Sequence, residues 1–159
     1  MAFQTADLSD AHDDVRVASP MFKRYGGAPR FAGEIVTLKL HEDNSLVREA
    51  FSEAGAGKVL VVDGGGSLRC ALVGDQLAEL AVKNGWAGAI VYGCIRDSVA
   101  IDGLPLGVRA LDPHPNKSGK KAAGDKNVPV TFAVVTFVPG EFVYVDEDGI
   151  LVSAKSLIG

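Results

Sequence analysis

Three side chains of this sequence could share one piece of chemistry: Asp75, Arg96 and Asp97, with twenty residues between the first and the pair. Arginine presents a planar fork that grips a carboxylate and a neighbouring carbonyl oxygen. Aspartate is a hard oxygen ligand, suited to Mg²⁺ or Mn²⁺ directly or through water. A cation held by few protein groups keeps coordination positions for a substrate. Asp75 stands in the stretch Gly74-Asp75-Gln76-Leu77. At the amino end of a helix, such a stretch offers unpaired N–H groups to an anion. Together these parts would hold a 2-oxo acid, its carboxylate on Arg96 and the helix and its keto oxygen on a metal at Asp97. Taken singly each is ordinary: Asp75 reads as an N-cap, and the Arg96-Asp97 pair as a turn ion pair.

The elements around them give the constellation its force. Lys58–Asp63, KVLVVD, is an apolar run of the kind found in strands buried on both faces. Gly64-Gly65-Gly66 breaks it, and a loop runs on to Gly74. The spacing predicts a helix of about ten residues from Asp75, with Leu77, Leu80 and Ala81 as its apolar stripe and Asn84-Gly85 as its stop. Ala87–Tyr92, AGAIVY, is a second buried strand. Strand, helix, strand at this spacing is a right-handed βαβ unit. Its two strand ends and the start of its helix lie on one edge of the sheet, where ligands bind in open α/β folds. Gly74-Asp75 and Arg96-Asp97 should therefore meet.

Further elements are a strand at 31–40, a helix capped by Asn44 or Ser45 and running to about Ala54, and a strand at 104–111 after a turn at Asp102-Gly103. Residues 112–127 read as a polar surface loop. Pro129–Val138, Glu141–Val145 and Ile150–Ser153 read as three strands. The class is α/β with an antiparallel β part, in one domain over residues 1–159.

Composition excludes several functions. With 47% hydrophobic and 23% charged residues the chain is globular rather than disordered. A net charge of −4 gives no basic field for nucleic acid. Lys117, Lys120, Lys121 and Lys126 form a local basic stretch without interleaved aromatics, so a solvated loop is expected rather than an RNA contact. Cys70 and Cys94 have no metal-ligand spacing and are expected to be buried, reduced thiols. His12, His41 and His114 show no metal spacing either. Trp86, after the helix stop, is expected to pack between helix and sheet. No apolar run reaches a membrane span and the first residues lack a signal-peptide core, so a cytoplasmic protein is expected. Asp63-Gly64-Gly65-Gly66-Ser67 has neither the spaced glycines of a dinucleotide loop nor a following Gly-Lys-Ser/Thr, and reads as a strand-end turn.

The run VLVVDGGGSLRCALVGDQLAELAVKNGWAGAIVYGCIRD resembles the RraA-like family throughout. So do TADLSDA near the start and VTFVPGEFVYVDEDGILVS near the end. The resemblance implies a single-domain, swivelling-type β/β/α sandwich assembled as a homotrimer. It implies a class II aldolase acting on 4-hydroxy-4-methyl-2-oxoglutarate (HMG), with oxaloacetate decarboxylation through the same pyruvate enolate. The cofactor would be a divalent cation, Mg²⁺ or Mn²⁺. Gly74, Asp75, Gln76 and Leu77 match the family's substrate-contacting helix start, Arg96 its substrate-binding arginine and Asp97 its metal ligand. Asp75 would orient the loop or a water. The family also includes regulators that bind and inhibit ribonuclease E, which makes such a protein the alternative partner. An older label, demethylmenaquinone methyltransferase, conflicts with the missing cofactor loop. Two departures stand out: Ala100 occupies a position where family aldolases carry a carboxylate, with Asp102 the nearest acid, and the chain stops at Gly159, before the extension from which longer aldolases lend a glutamate to a neighbour.

Overall fold

The computed structural model describes residues 2–158. In chain order the elements are α1 (Thr5–Ala11), β1 (Arg16–Val17), β2 (Lys23–Tyr25), β3 (Phe31–Lys39), α2 (Ser45–Phe51), β4 (Val59–Asp63), β5 (Ala71–Val73), α3 (Asp75–Lys83) and β6 (Gly88–Ile95). There follow α4 (Ser98–Asp102), β7 (Gly107–Pro113), β8 (Asp125–Lys126), β9 (Val130–Phe132), β10 (Val135–Phe137), β11 (Phe142–Asp146) and β12 (Gly149–Ser153).

One mixed sheet runs in the order β1-β12-β11-β3-β4-β6-β7-β2. β3, β4, β6 and β7 are parallel, and β11, β12 and β1 are antiparallel. β3 belongs to both parts: its first residues pair with β11 and Ile35–Lys39 pair with β4. The sheet curls there. At Gly33 a Cβ would stand 2.2 Å from the Gly57 carbonyl oxygen, so only glycine lets the chains approach.

The side-chain period of two explains the layers. On β4, Leu60 and Val62 face a core shared with α2 and α3, whereas Val59 and Val61 face a second core under β9–β12. On β6, Ala89 and Val91 take the helix side and Ile90 the other. β4 and β6 are thus lined by apolar side chains on both faces, and the result is helices, parallel sheet and a β layer. Trp86 sits in the helix-side core, edge-on to Phe51, and its indole donates to the Glu53 carbonyl. Both cysteines are buried free thiols.

Several expectations need correction. The loop before Gly74 contains β5, which pairs with β6 beyond the point where β4 ends. The turn expected at Asp102-Gly103 ends a short helix, α4. The single strand expected at 129–138 is a hairpin, because Ala133 and Val134 both take positive φ and reverse the chain. Neither Asn44 nor Ser45 caps α2 with its side chain: Asp43 does, accepting the Ser45 N–H at 2.9 Å, and the helix ends at Phe51.

Candidate functional site

α3 begins where β5 ends, so Gly74 and Asp75 lie at the sheet edge beside the end of β6. The Arg96 N–H donates to the Val73 carbonyl at 2.9 Å, which ties the two halves together. Asp97 takes φ 56°, a left-handed conformation that aspartate tolerates better than most residues. Its Oδ2 accepts the Asp75 N–H at 3.0 Å. The carboxylate of Asp97 therefore covers the first N–H of α3, where the helix partial charge favours an anion. A Cβ on Gly74 would stand 2.9 Å from that Oδ2 and 3.5 Å from Arg96 Cγ and Nε. A Cβ there would crowd both side chains, although the φ of −117° is open to any residue.

All six residues singled out in the sequence line one cavity of about 230 Å³. Arg96, Asp97 and Gln76 are exposed, while Gly74 and Asp75 are half-buried. The Leu77 side chain is buried in the helix-side core. Leu77 reaches the cavity through its backbone, as one of the first-turn residues whose N–H has no helical acceptor. A larger groove of about 560 Å³ lies elsewhere, with one carboxylate, Glu34, and no cation among its lining residues.

The cavity also holds residues that the sequence did not single out for it: Asn44, Arg48, Lys117 and Lys120. Asn44 is buried; its Nδ2 donates to the Leu72 carbonyl at 3.2 Å and its Oδ1 accepts from Lys120 Nζ. The stretch expected to be a solvated loop is folded onto the site. Gly119 bridges to Asp43 and Lys117 to Ala71, and the Lys121 N–H donates to the Asp43 carboxylate. Arg96 donates to the Pro115 carbonyl at 3.3 Å, so the same loop steadies its guanidinium. Asn44 and Arg48 could have been paired by their four-residue spacing, which sets one a turn above the other at the start of α2. No local pattern announces Lys117 and Lys120, because the fold of their loop depends on Asp43 and Ala71, far away in sequence.

Four cations, Arg48, Arg96, Lys117 and Lys120, thus face two carboxylates, Asp75 and Asp97. In a chain of net charge −4 this is a local positive well, and it suits a small polyanion. Among the described residues no three His, Cys, Asp or Glu side chains cluster as a metal cage. That donor set still fits Mg²⁺ or Mn²⁺, which keep several waters and bind through one or two carboxylates plus substrate. Asp97, exposed and with Oδ2 alone engaged by Asp75, is the carboxylate available. Asp102 does not replace the acid absent at Ala100, for its Oδ1 accepts the Gly26 N–H on the far side of α4 at 2.8 Å.

Known proteins match this chain along its length. The RraA-like family, described as Aldolase/RraA, matches residues 5–152. A protein of Dechloromonas aromatica (strain RCB), named "Putative 4-hydroxy-4-methyl-2-oxoglutarate aldolase", is 65% identical over 162 residues, 99% of each chain. A solved structure described as the RNA-processing inhibitor RraA from Thermus thermophilis is 45% identical with a TM-score of 0.97, covering 100% of this chain and 97% of that one. Another, described as S-adenosylmethionine: 2-dimethylmenaquinone methyltransferase from Geobacillus kaustophilus, is 47% identical with a TM-score of 0.96, covering 98% and 97%. Matched in sequence and in backbone from its first helix to its last strand, the chain belongs to the RraA-like family.

Proposed function

We propose that this protein is a divalent-metal-dependent carbon–carbon lyase that cleaves HMG into two molecules of pyruvate and decarboxylates oxaloacetate through the same enolate. The observation that carries the reading is the meeting of Arg96, Asp97 and the amino end of α3 in one cationic cavity. The name borne by the 65%-identical relative agrees with it.

The substrate's 2-oxo acid end would sit between the Arg96 guanidinium and the N–H groups of Gln76 and Leu77. Asp97 would hold Mg²⁺ or Mn²⁺, which when bound supplies positive charge to the keto oxygen. Cleavage of the C3–C4 bond leaves an electron pair on the pyruvate fragment, and Arg96 would face the charge that develops there. In retro-aldol cleavage the C4 hydroxyl must also lose a proton. Asp75, half-buried at the helix start, would orient a water for that transfer. Decarboxylation needs no such base.

Pyruvate release from HMG and from oxaloacetate, with Mg²⁺ or Mn²⁺ and with EDTA, tests the reading. Arg96→Ala and Asp97→Ala should each lower kcat/KM by about 100-fold or more. Turnover indifferent to EDTA and to both substitutions would remove it.

The 45% identity to a protein described as an RNA-processing inhibitor favours a second reading, a cytoplasmic homotrimer that binds a ribonuclease E-like partner. Sedimentation should then give three times 16.6 kDa, and the host ribonuclease should be retained on the immobilised protein. A monomer that retains no ribonuclease contradicts it.

A further inference from the structure

The 2-oxo acid end of a substrate engages one arginine and one helix end, which leaves positive charge in the cavity without an assigned use. Arg96 and Lys120 already donate to protein acceptors, the Pro115 carbonyl and Asn44 Oδ1. Arg48 differs. It lines the cavity from α2, is exposed, and takes part in no ion pair among the described residues. Its helix face is fixed by Asn44 one turn earlier, which is buried and tied both to β5 and to the 117–121 loop. A bidentate cation is therefore presented to the cavity from an element separate from the one that carries Arg96.

We propose that Arg48 reads the second carboxylate of the substrate, the one attached to C4, and so fits the site to 2-oxo acids whose far carboxylate survives the reaction. The inference rests on the lyase reading. In HMG the C3–C4 bond breaks, the C4 hydroxyl gives up its proton, and C4 becomes the keto carbon of a pyruvate that keeps its carboxylate. The electron pair stays on C3 as the enolate, which is then protonated to the second pyruvate. The Arg48 contact persists throughout. In oxaloacetate the same bond breaks, but the far carboxylate itself departs as neutral CO₂. A cation on that group favours the ground state over the transition state. Arg48 thus supports aldol cleavage and opposes decarboxylation.

The test compares HMG with 4-hydroxy-4-methyl-2-oxopentanoate, in which a methyl replaces the far carboxylate, using wild-type protein, Arg48→Gln and Arg48→Lys. The expected result is that Arg48→Gln lowers the ratio of kcat/KM for HMG to that for the analogue by about tenfold, the scale of one lost charged hydrogen bond. Arg48→Lys should recover part of it, and kcat for oxaloacetate should not fall with the HMG value. A ratio that moves by less than about threefold, or an equal loss on both substrates, overturns the role of Arg48 and leaves the lyase reading standing. Wild-type protein that cleaves neither compound with Mg²⁺ or Mn²⁺ overturns both.

Discussion

Gly74 is the residue on which the candidate site is most finely balanced. It lies against the carboxylate of Asp97 and the stem of Arg96, in a backbone conformation that alanine accepts. Gly74→Ala should therefore fold with stability within about 1 kcal/mol of the parent, while displacing the Asp97 and Arg96 side chains by several tenths of an ångström. Misplacement on that scale should lower kcat/KM by roughly tenfold or more. Thermal unfolding and steady-state kinetics on the same preparation separate the two effects. A variant as active as the parent would show that the crowding at Gly74 has no bearing on the site. Asp75 and Asp97 illustrate a related economy, since the hydrogen bond that caps α3 also points the carboxylate at the cavity.

Among the elements, the β9–β10 hairpin carries a local cost. Its two-residue turn uses Ala133 and Val134 at φ 52° and 60°, where natural hairpins favour Asn-Gly. A β-branched side chain at positive φ is strained, and Val134 is 81% exposed, so it offsets little by burial. Val134→Gly should stabilise the protein by about 1 kcal/mol, read as a rise in the denaturation midpoint. A lowered midpoint would contradict the strain. The turn lies at the sequence VTFAVVTF, whose unbroken run of β-branched, aromatic and small residues reads as one strand. Side-chain periodicity could not reveal the reversal, because no turn-forming residue marks it. The converse holds for β5: three residues are too few for a period, and the strand exists because β6 extends past β4 and offers it a partner.

Across the whole molecule, two buried aspartates hold distant segments together. Asp146 accepts from the N–H and hydroxyl of Thr5, both at 2.7 Å, and from the N–H of Asp148 at 2.9 Å. Burial pushes its carboxyl up, but these donors outweigh burial and hold it below the usual aspartate value. Asp43 behaves alike: burial raises it, while the backbone N–H groups of Ser45 and Lys121 prevail. A depressed native value means that each contributes stability in full above the unfolded value, near pH 4, and loses it as pH falls through the native one. The protein should weaken below about pH 4. Asp146→Asn should cost about 1–3 kcal/mol at neutral pH and flatten the dependence below pH 4. Urea midpoints at pH 7 and pH 3 measure both, and equal losses at the two pH values would exclude the linkage. Nearby, Arg109 is buried and pushed down by burial to about 10, so it remains charged at neutral pH. It donates to the carbonyls of Pro29 and Asp146, joining the parallel and antiparallel parts of the sheet.

The sequence by itself determined the α/β class, the two buried central strands, the helix between them and the convergence of Gly74-Asp75 with Arg96-Asp97. These follow from short-range apolar runs, helix stops and the handedness of a βαβ crossover, all written within 40 consecutive residues. Tertiary structure decided the rest of the cavity. Arg48 and Asn44 come from a helix thirty residues upstream, and Lys117 and Lys120 from a loop whose path is set by Asp43 and Ala71. Their places depend on backbone pairing between segments that have no periodic signal of their own, so only the assembled fold brings their charges to Arg96 and Asp97.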